Sequence, residues 1–171
     1  TADAFLNSTV RAEPNFSSFS LFGAGGAATS YAHGDAKVSA DVGGYTTVNG
    51  GPGNLHIQSE FIGRTEANAS GLAAAIGVSV IKSSADADHD PTVSASVAAN
   101  AALTSTGLGK TIEVIARHNF RTSAVADKGS YSSASNMAFG LLGAGLSSDI
   151  HSSAEAVVSN TVSAGATFST N

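Results

Sequence analysis

One eight-residue pattern, acid-x-x-Val-Ser-x-x-Val, occurs three times and constrains the fold more than any other feature of the chain. It reads Asp35-Ala36-Lys37-Val38-Ser39-Ala40-Asp41-Val42, then Asp90-Pro91-Thr92-Val93-Ser94-Ala95-Ser96-Val97, then Glu155-Ala156-Val157-Val158-Ser159-Asn160-Thr161-Val162. Its first Val falls at positions 38, 93 and 158, which sets repeat lengths of 55 and then 65 residues. An apolar residue follows each last Val by six positions: Val48, Leu103 and Phe168.

The residues around the pattern alternate with a period of two. Val38, Ala40, Val42, Gly44, Thr46 and Val48 form one face, with Ser, Asp, Gly, Tyr and Thr between them. Val93 to Leu103 and Val158 to Phe168 repeat the arrangement. Such alternation puts a small apolar ladder inside a sheet and a polar ladder outside, and Val and Thr favour strand. It predicts one eleven-residue strand per repeat, with Val38, Val93 and Val158 in one inner column and Ser39, Ser94 and Ser159 in an outer one.

Two further segments complete each repeat. Phe22-Gly23, Ile76-Gly77 and Leu142-Gly143 mark a first strand, 15 or 16 residues ahead of the Val. Leu55 to Phe61 and Ile112 to Phe120 mark a third strand, with Val10-Arg11-Ala12 as a partial copy. Turn chemistry separates them: Asn49-Gly50-Gly51-Pro52-Gly53-Asn54 and Thr104 to Lys110 supply positive-φ positions and local hydrogen bonds. The link from third to first strand is expected to vary in length and to form an exposed, variable corner.

The expected fold is all-β: a β-solenoid-like array of about two and a half irregular repeats with three long strands each, equivalent strands stacking in parallel. An antiparallel β-sandwich or barrel is the alternative. The array is read as one domain over 1–171, divided into a repeat tail (1–16), a repeat (17–70), a second repeat (71–135) and a partial repeat (136–171). The chain is thus expected to open on the tail of one repeat, to close inside another, and to be a fragment or processed product.

Composition removes several functions. Charged residues are 12% of the chain against about 25% in ordinary soluble domains. The net charge is -5 and no Lys/Arg cluster exists to neutralise phosphates, which argues against a nucleic-acid partner. Cysteine is absent, so there is no disulfide framework or thiolate metal site. No apolar run is long enough for a membrane-spanning helix, and with no Trp and 3 Tyr the aromatic girdles of a membrane β-barrel are missing.

The run Gly71-Leu72-Ala73-Ala74-Ala75-Ile76-Gly77-Val78-Ser79-Val80, followed by Val93-Ser94-Ala95-Ser96-Val97 and Thr111-Ile112-Glu113-Val114-Ile115-Ala116, resembles the repeats of giant bacterial surface proteins, the filamentous-haemagglutinin-like and large exoprotein adhesins. That resemblance implies an exported β-helix that displays adhesion loops or builds a surface fibre. It implies no catalytic residue.

Among chemical motifs, Asp86, Asp88 and Asp90 are the best ligand cluster. Alternate carboxylates on one short stretch can converge on Ca²⁺, although no Gly or distal Glu completes an EF-hand pattern. The competing reading is a solvated acidic loop. The acid column Asp35, Asp90, Glu155 reads as turn anchors accepting backbone N–H bonds. His33, His89 and His151 sit at different offsets and do not suggest a shared metal. Gly23-Ala24-Gly25-Gly26-Ala27-Ala28 matches a dinucleotide fingerprint in letters, but a strand is expected there rather than the required turn and helix. Gly109-Lys110-Thr111 lacks the first Gly of a P-loop and reads as a turn. Arg117 to Arg121 is the densest cationic spot and reads as a polar face.

The function expected from the sequence is therefore non-enzymatic: an extracellular or cell-surface structural or adhesive protein that self-associates into, or forms part of, a fibre. A glycan- or surface-binding module without self-assembly is the alternative.

Overall fold

The computed structural model describes residues 1–120 and 129–170, and among them all regular structure is strand. Three successive rows of chain lie side by side. The first row holds β1 (Ala2–Ala12), β2 (Asn15–Ser20), β3 (Gly23–Gly34), β4 (Lys37–Val42) and β5 (Thr47–Asn49). The middle row holds β6 (Leu55–Ala75), β7 (Val78–His89), β8 (Thr92–Val97) and β9 (Ala102–Ser105). The last row holds β10 (Ile112–His118), β11 (Gly129–Gly140), β12 (Gly143–Ala154), β13 (Val157–Val162) and β14 (Thr167–Thr170).

Every ladder is parallel and joins like to like. β6 takes β1 and β2 along one edge and β10 and β11 along the other, and the remaining sheets are β3–β7–β12, β4–β8–β13 and β5–β9–β14. The antiparallel alternative is thus not what forms, and no barrel closes. The predicted columns are present: Val38, Val93 and Val158 are register partners, as are Ser39, Ser94 and Ser159.

Register also corrects the sequence reading. Val10 pairs with Thr65, and Ala2 is the partner of Ile57, so the first copy of the third strand begins eight residues earlier than the Val10-Arg11-Ala12 match implied. Ile76-Gly77 is displaced by one residue: Val78 pairs with Gly23 and Gly143. The first-to-middle register is then constant; of the ten extra residues, two fall in the turn between β9 and β10 and eight in the last row. Ile112 pairs with Leu55 while Gly129 pairs with Arg64, so eight additional residues lie between His118 and Gly129, a stretch that includes the undescribed 121–128. The repeat divisions at 16/17, 70/71 and 135/136 cut β2, β6 and β11 at or next to the partnered positions Phe16, Gly71 and Asn136.

The predicted eleven-residue strand is two strands with a corner between them. Tyr45 (φ 58°), Asn100 (φ 58°) and Gly165 (φ 79°) occupy this corner in the three rows in left-handed conformation. The bend breaks the alternation, so Ala99 faces solvent while Ala101 and Leu103 resume the inner face. The third segment is longer than expected: β6 runs 21 residues, about 70 Å at ~3.3 Å per residue.

β6 forms one layer, and its two halves meet different partners. Its first half packs Leu55, Ile57 and Phe61 against Val93, Ala95, Val97 and Leu103. Its second half packs Ala67 and Ala69 against Ala28, Ala32, Ala85 and Ala87. Alanine against alanine leaves room for little else, so bulk is admitted only opposite glycine. The Phe16 ring fills the space above Gly26, and Ile81 fills that above Gly71; a Cβ at either glycine would overlap the facing side chain. Gly23 to Ala28 accordingly belongs to strand β3, where the glycines serve close packing.

Candidate functional site

The chemistry-bearing side chains gather where β3, β7 and β12 give way to β4, β8 and β13. Asp86 and Asp88 lie on the outer face of β7, and Asp90 follows directly after the strand, so the cluster is not the loop that the sequence suggested. Spacing by two puts them all on one side, yet the cross-row neighbours differ. Asp86 stands between Tyr31 and His151, while Asp88 stands between His33 and Ser153.

The result is a regrouping. His33 from the first row joins Asp88 and Asp90, with one ligand atom from each within 4.8 Å of the others, and Asp86 is outside that group. His33 Nδ1 lies 3.2 Å from Asp88 Oδ2, and Ser153 Oγ donates to Asp88 Oδ1. These contacts hold the Asp88 carboxyl below its usual range, the Ser153 hydrogen bond contributing most. Asp90 Oδ1 is buried with no hydrogen-bond partner. The column Asp35, Asp90, Glu155 does form across the rows, with Asp90 N donating to Gly34 O and Glu155 N to His89 O. The expected backbone N–H bond to Asp90 Oδ1 is not made.

An imidazole nitrogen with two carboxylate oxygens is a different donor set from the all-oxygen one that Ca²⁺ takes, and suits a borderline divalent ion such as Zn²⁺. Sequence reasoning missed His33 because its partner lies 55 positions away, and only the row register brings the two together.

Directly inside this cluster is a second group that the sequence did not suggest. His89 is fully buried, and its Nε2 lies 3.1 Å from Nε2 of His118 at the end of β10. Thr65 Oγ1 lies 3.0 Å from His89 Nδ1, and the Phe61 ring stacks on both imidazoles at 5.8 and 5.7 Å. Burial first, then the neighbouring His118, pushes the His89 pKa down to about 4; burial lowers that of His118 as well. Asn119, in left-handed conformation, ties the end of β10 to β6 by accepting from Gly63 N and donating to Gly63 O. His33, His89 and His151 occupy three different columns, as their offsets implied.

The remaining motifs are structural. Gly109 takes a positive φ in a turn and Ile112 begins a strand, so no phosphate loop forms at Gly109-Lys110-Thr111. The cationic stretch disperses: Arg117 lies over the Phe120 ring, and His118 and Asn119 turn inward; Arg121 is outside the described residues. No matching protein family, curated protein or solved structure is found for the chain.

Proposed function

We propose that this chain is a β-solenoid segment of an extracellular or cell-surface structural or adhesive protein, and that it self-associates through the open end of its stack. The observation that carries the reading is a change of burial along single columns. Val93 and Val97 are 0% exposed, whereas their last-row partners Val158 and Val162 are 46% and 52% exposed. Leu146, Ile150 and Phe168 stand beside them, likewise exposed although their middle-row partners are buried. The last row therefore presents inner-face side chains and a strand edge together, a surface that another parallel row covers, whether from further chain or from a second copy. Head-to-tail stacking of such an end on a first-row edge is a heterologous contact and propagates as a filament. The absence of any catalytic constellation in the sequence fits a role without chemistry, and the resemblance to bacterial surface adhesins points the same way.

Electron microscopy and fibre diffraction of the purified chain test this. Filaments with a repeat of about 4.8 Å along the axis are expected. Dispersed single particles at high concentration would overturn the reading. The register-aligned outer ladder Ser39, Ser94, Ser159, with Ser96 Oγ donating to Asp41 Oδ1 at 2.6 Å, favours a second reading as a glycan- or surface-binding face. Binding on a glycan array by a protein that forms no filaments would select it.

A further inference from the structure

The corner joining the β2–β6–β11 edge to the β3–β7–β12 sheet differs from the rest of the molecule in charge. Residues 14–32, 67–81 and 129–148 contain no Asp, Glu, Lys, Arg or His. They belong to different rows, and register lays them side by side. Among the described residues, one end of the molecule is therefore free of ionisable charge except for tyrosine, and the described carboxylates, lysines and arginines lie elsewhere.

That end is also apolar and exposed. Its ridge is the strand-to-strand turn of each row: Leu21-Phe22, Ile76-Gly77 and Leu141-Leu142. Phe22 is 88% exposed, and Leu141 and Leu142 are each 80% exposed. Beside the ridge, and edged by its Leu21 and Ile76, lies a shallow, open slot of about 570 Å³. Phe19 and Phe139 form its walls, and their shared register partner Ala74 forms its floor. Ridge and slot together expose on the order of 1,000 Å² of apolar side chain, more than the ~800 Å² each partner contributes to a standard interface. Exposed patches of this size mark interaction sites.

We propose that this corner is a lateral interface between two copies of the chain, related by a two-fold axis. Protruding aliphatic and phenyl groups lie next to a slot walled by two phenyl rings and floored by alanine. In an isologous pair the ridge of each copy enters the slot of the other. Charge favours the same occupant. Each copy carries a net charge of -5, and contact through the neutral corner keeps those charges apart. A lipid surface is the poorer fit, because interfacial binders carry several Lys and Arg beside the apolar face, and the outer face of β7 next to this corner offers a single one, Lys82, two residues beyond Val80. The interface uses the outward side of the turns in all three rows, the last one included through Phe139, Leu141 and Leu142, and it does not depend on end stacking.

The test uses the whole 171-residue chain with its last row blocked by Val158→Lys and Val162→Lys, so that only lateral association remains. Sedimentation equilibrium should show a dimer at micromolar concentration. Adding Phe22→Ser and Leu142→Ser, both at exposed turn positions, should weaken that dimer about tenfold or more while the far-ultraviolet dichroism stays that of β-sheet. In this cysteine-free chain, Leu142→Cys in one copy should cross-link to Phe139→Cys in a second copy through a short bismaleimide. A monomer throughout, or a dimer indifferent to the ridge substitutions, overturns the proposal. So does flotation of the end-blocked protein with phosphatidylcholine vesicles when it is monomeric in buffer, since the corner would then serve lipid. Failure of the wild-type chain to form filaments would sink the end-stacking reading and leave this result intact.

Discussion

His89 and His118 point their Nε2 atoms at each other across 3.1 Å, beneath the ring of Phe61. One ring must donate its N–H and the other accept with a lone pair. Protonating the acceptor puts two N–H groups face to face in a site already short of water. The neutral form is therefore the folded form, and the His89 pKa falls from 6.5 to about 4. The sign follows: between those values the unfolded chain binds more protons, so stability is full above pH 6.5 and is lost as pH falls toward 4. Urea unfolding from pH 7.5 to 4.5 should show a loss of about 2 kcal/mol. Replacing His89 with Phe should flatten that dependence, whereas His118→Phe, which leaves His89 buried, should reduce it only in part; an unchanged slope in His89→Phe would show that other groups set it.

Gly77 separates β6 from β7 where three rows converge. A Cβ there would overlap the Phe22 carbonyl oxygen, which accepts the hydrogen bond of Val78 N in the neighbouring row. The obstacle is backbone, which cannot rotate away. Gly77→Ala should cost about 2 kcal/mol or more, read as a lower denaturant midpoint. Gly143→Ala, with nothing within 4 Å of the added carbon, is the control and should change little.

Tyr45 holds φ at 58° while 85% exposed. Its equivalents are Asn100 and Gly165, residues suited to that conformation. Tyr45→Asn should raise stability by about 0.5–1 kcal/mol, since almost no packing is lost. A lower melting temperature would mean that the ring has a contact that its exposure does not reveal.

If a divalent ion is held by the outer cluster, His33, Asp88 and Asp90 hold it. We predict that Zn²⁺ raises the melting temperature more than Ca²⁺ does. His33→Ala and Asp90→Asn should remove the shift, and Asp86→Asn should leave it unchanged. Equal loss on Asp86→Asn would restore the three-aspartate arrangement read from the sequence.

Much of the architecture was legible because period-two alternation and a repeated motif are local signals. They assigned strands, gave the inner face of β4, β8 and β13, and identified the Val38–Val93–Val158 column. What they misplaced is informative. The corner at Tyr45 and Asn100 was hidden because the alternation resumes on its far side, so two strands looked like one. The shift of Val10 and the one-residue slip at Ile76 arose because segments rich in Ala, Gly, Ser and Val match one another in several registers. Backbone ladders accept one register at a time, and that register is set by packing of the whole row.

The acidic cluster shows the same limit in the site. Spacing placed Asp86, Asp88 and Asp90 on one face, as the strand requires. Which of them meet a histidine depends on what the neighbouring row offers at that level, and only Asp88 and Asp90 meet His33. The His89–His118 pair had no sequence signal: both look like polar residues at strand ends, and they meet because His118 stands beside Phe61 in the β6 sheet while His89 packs against Phe61 and Thr65 of that sheet from β7.

By itself, then, the sequence determined the class of secondary structure, the inward side of β4, β8 and β13, and the column of repeated Val residues, because these depend on the order of side chains along a pleated backbone. The tertiary structure alone decided register, the gathering of the three charge-free stretches into one corner, and the two histidine groupings. Those are contacts between residues about 30 to 65 positions apart, and their formation rests on which rows lie next to which.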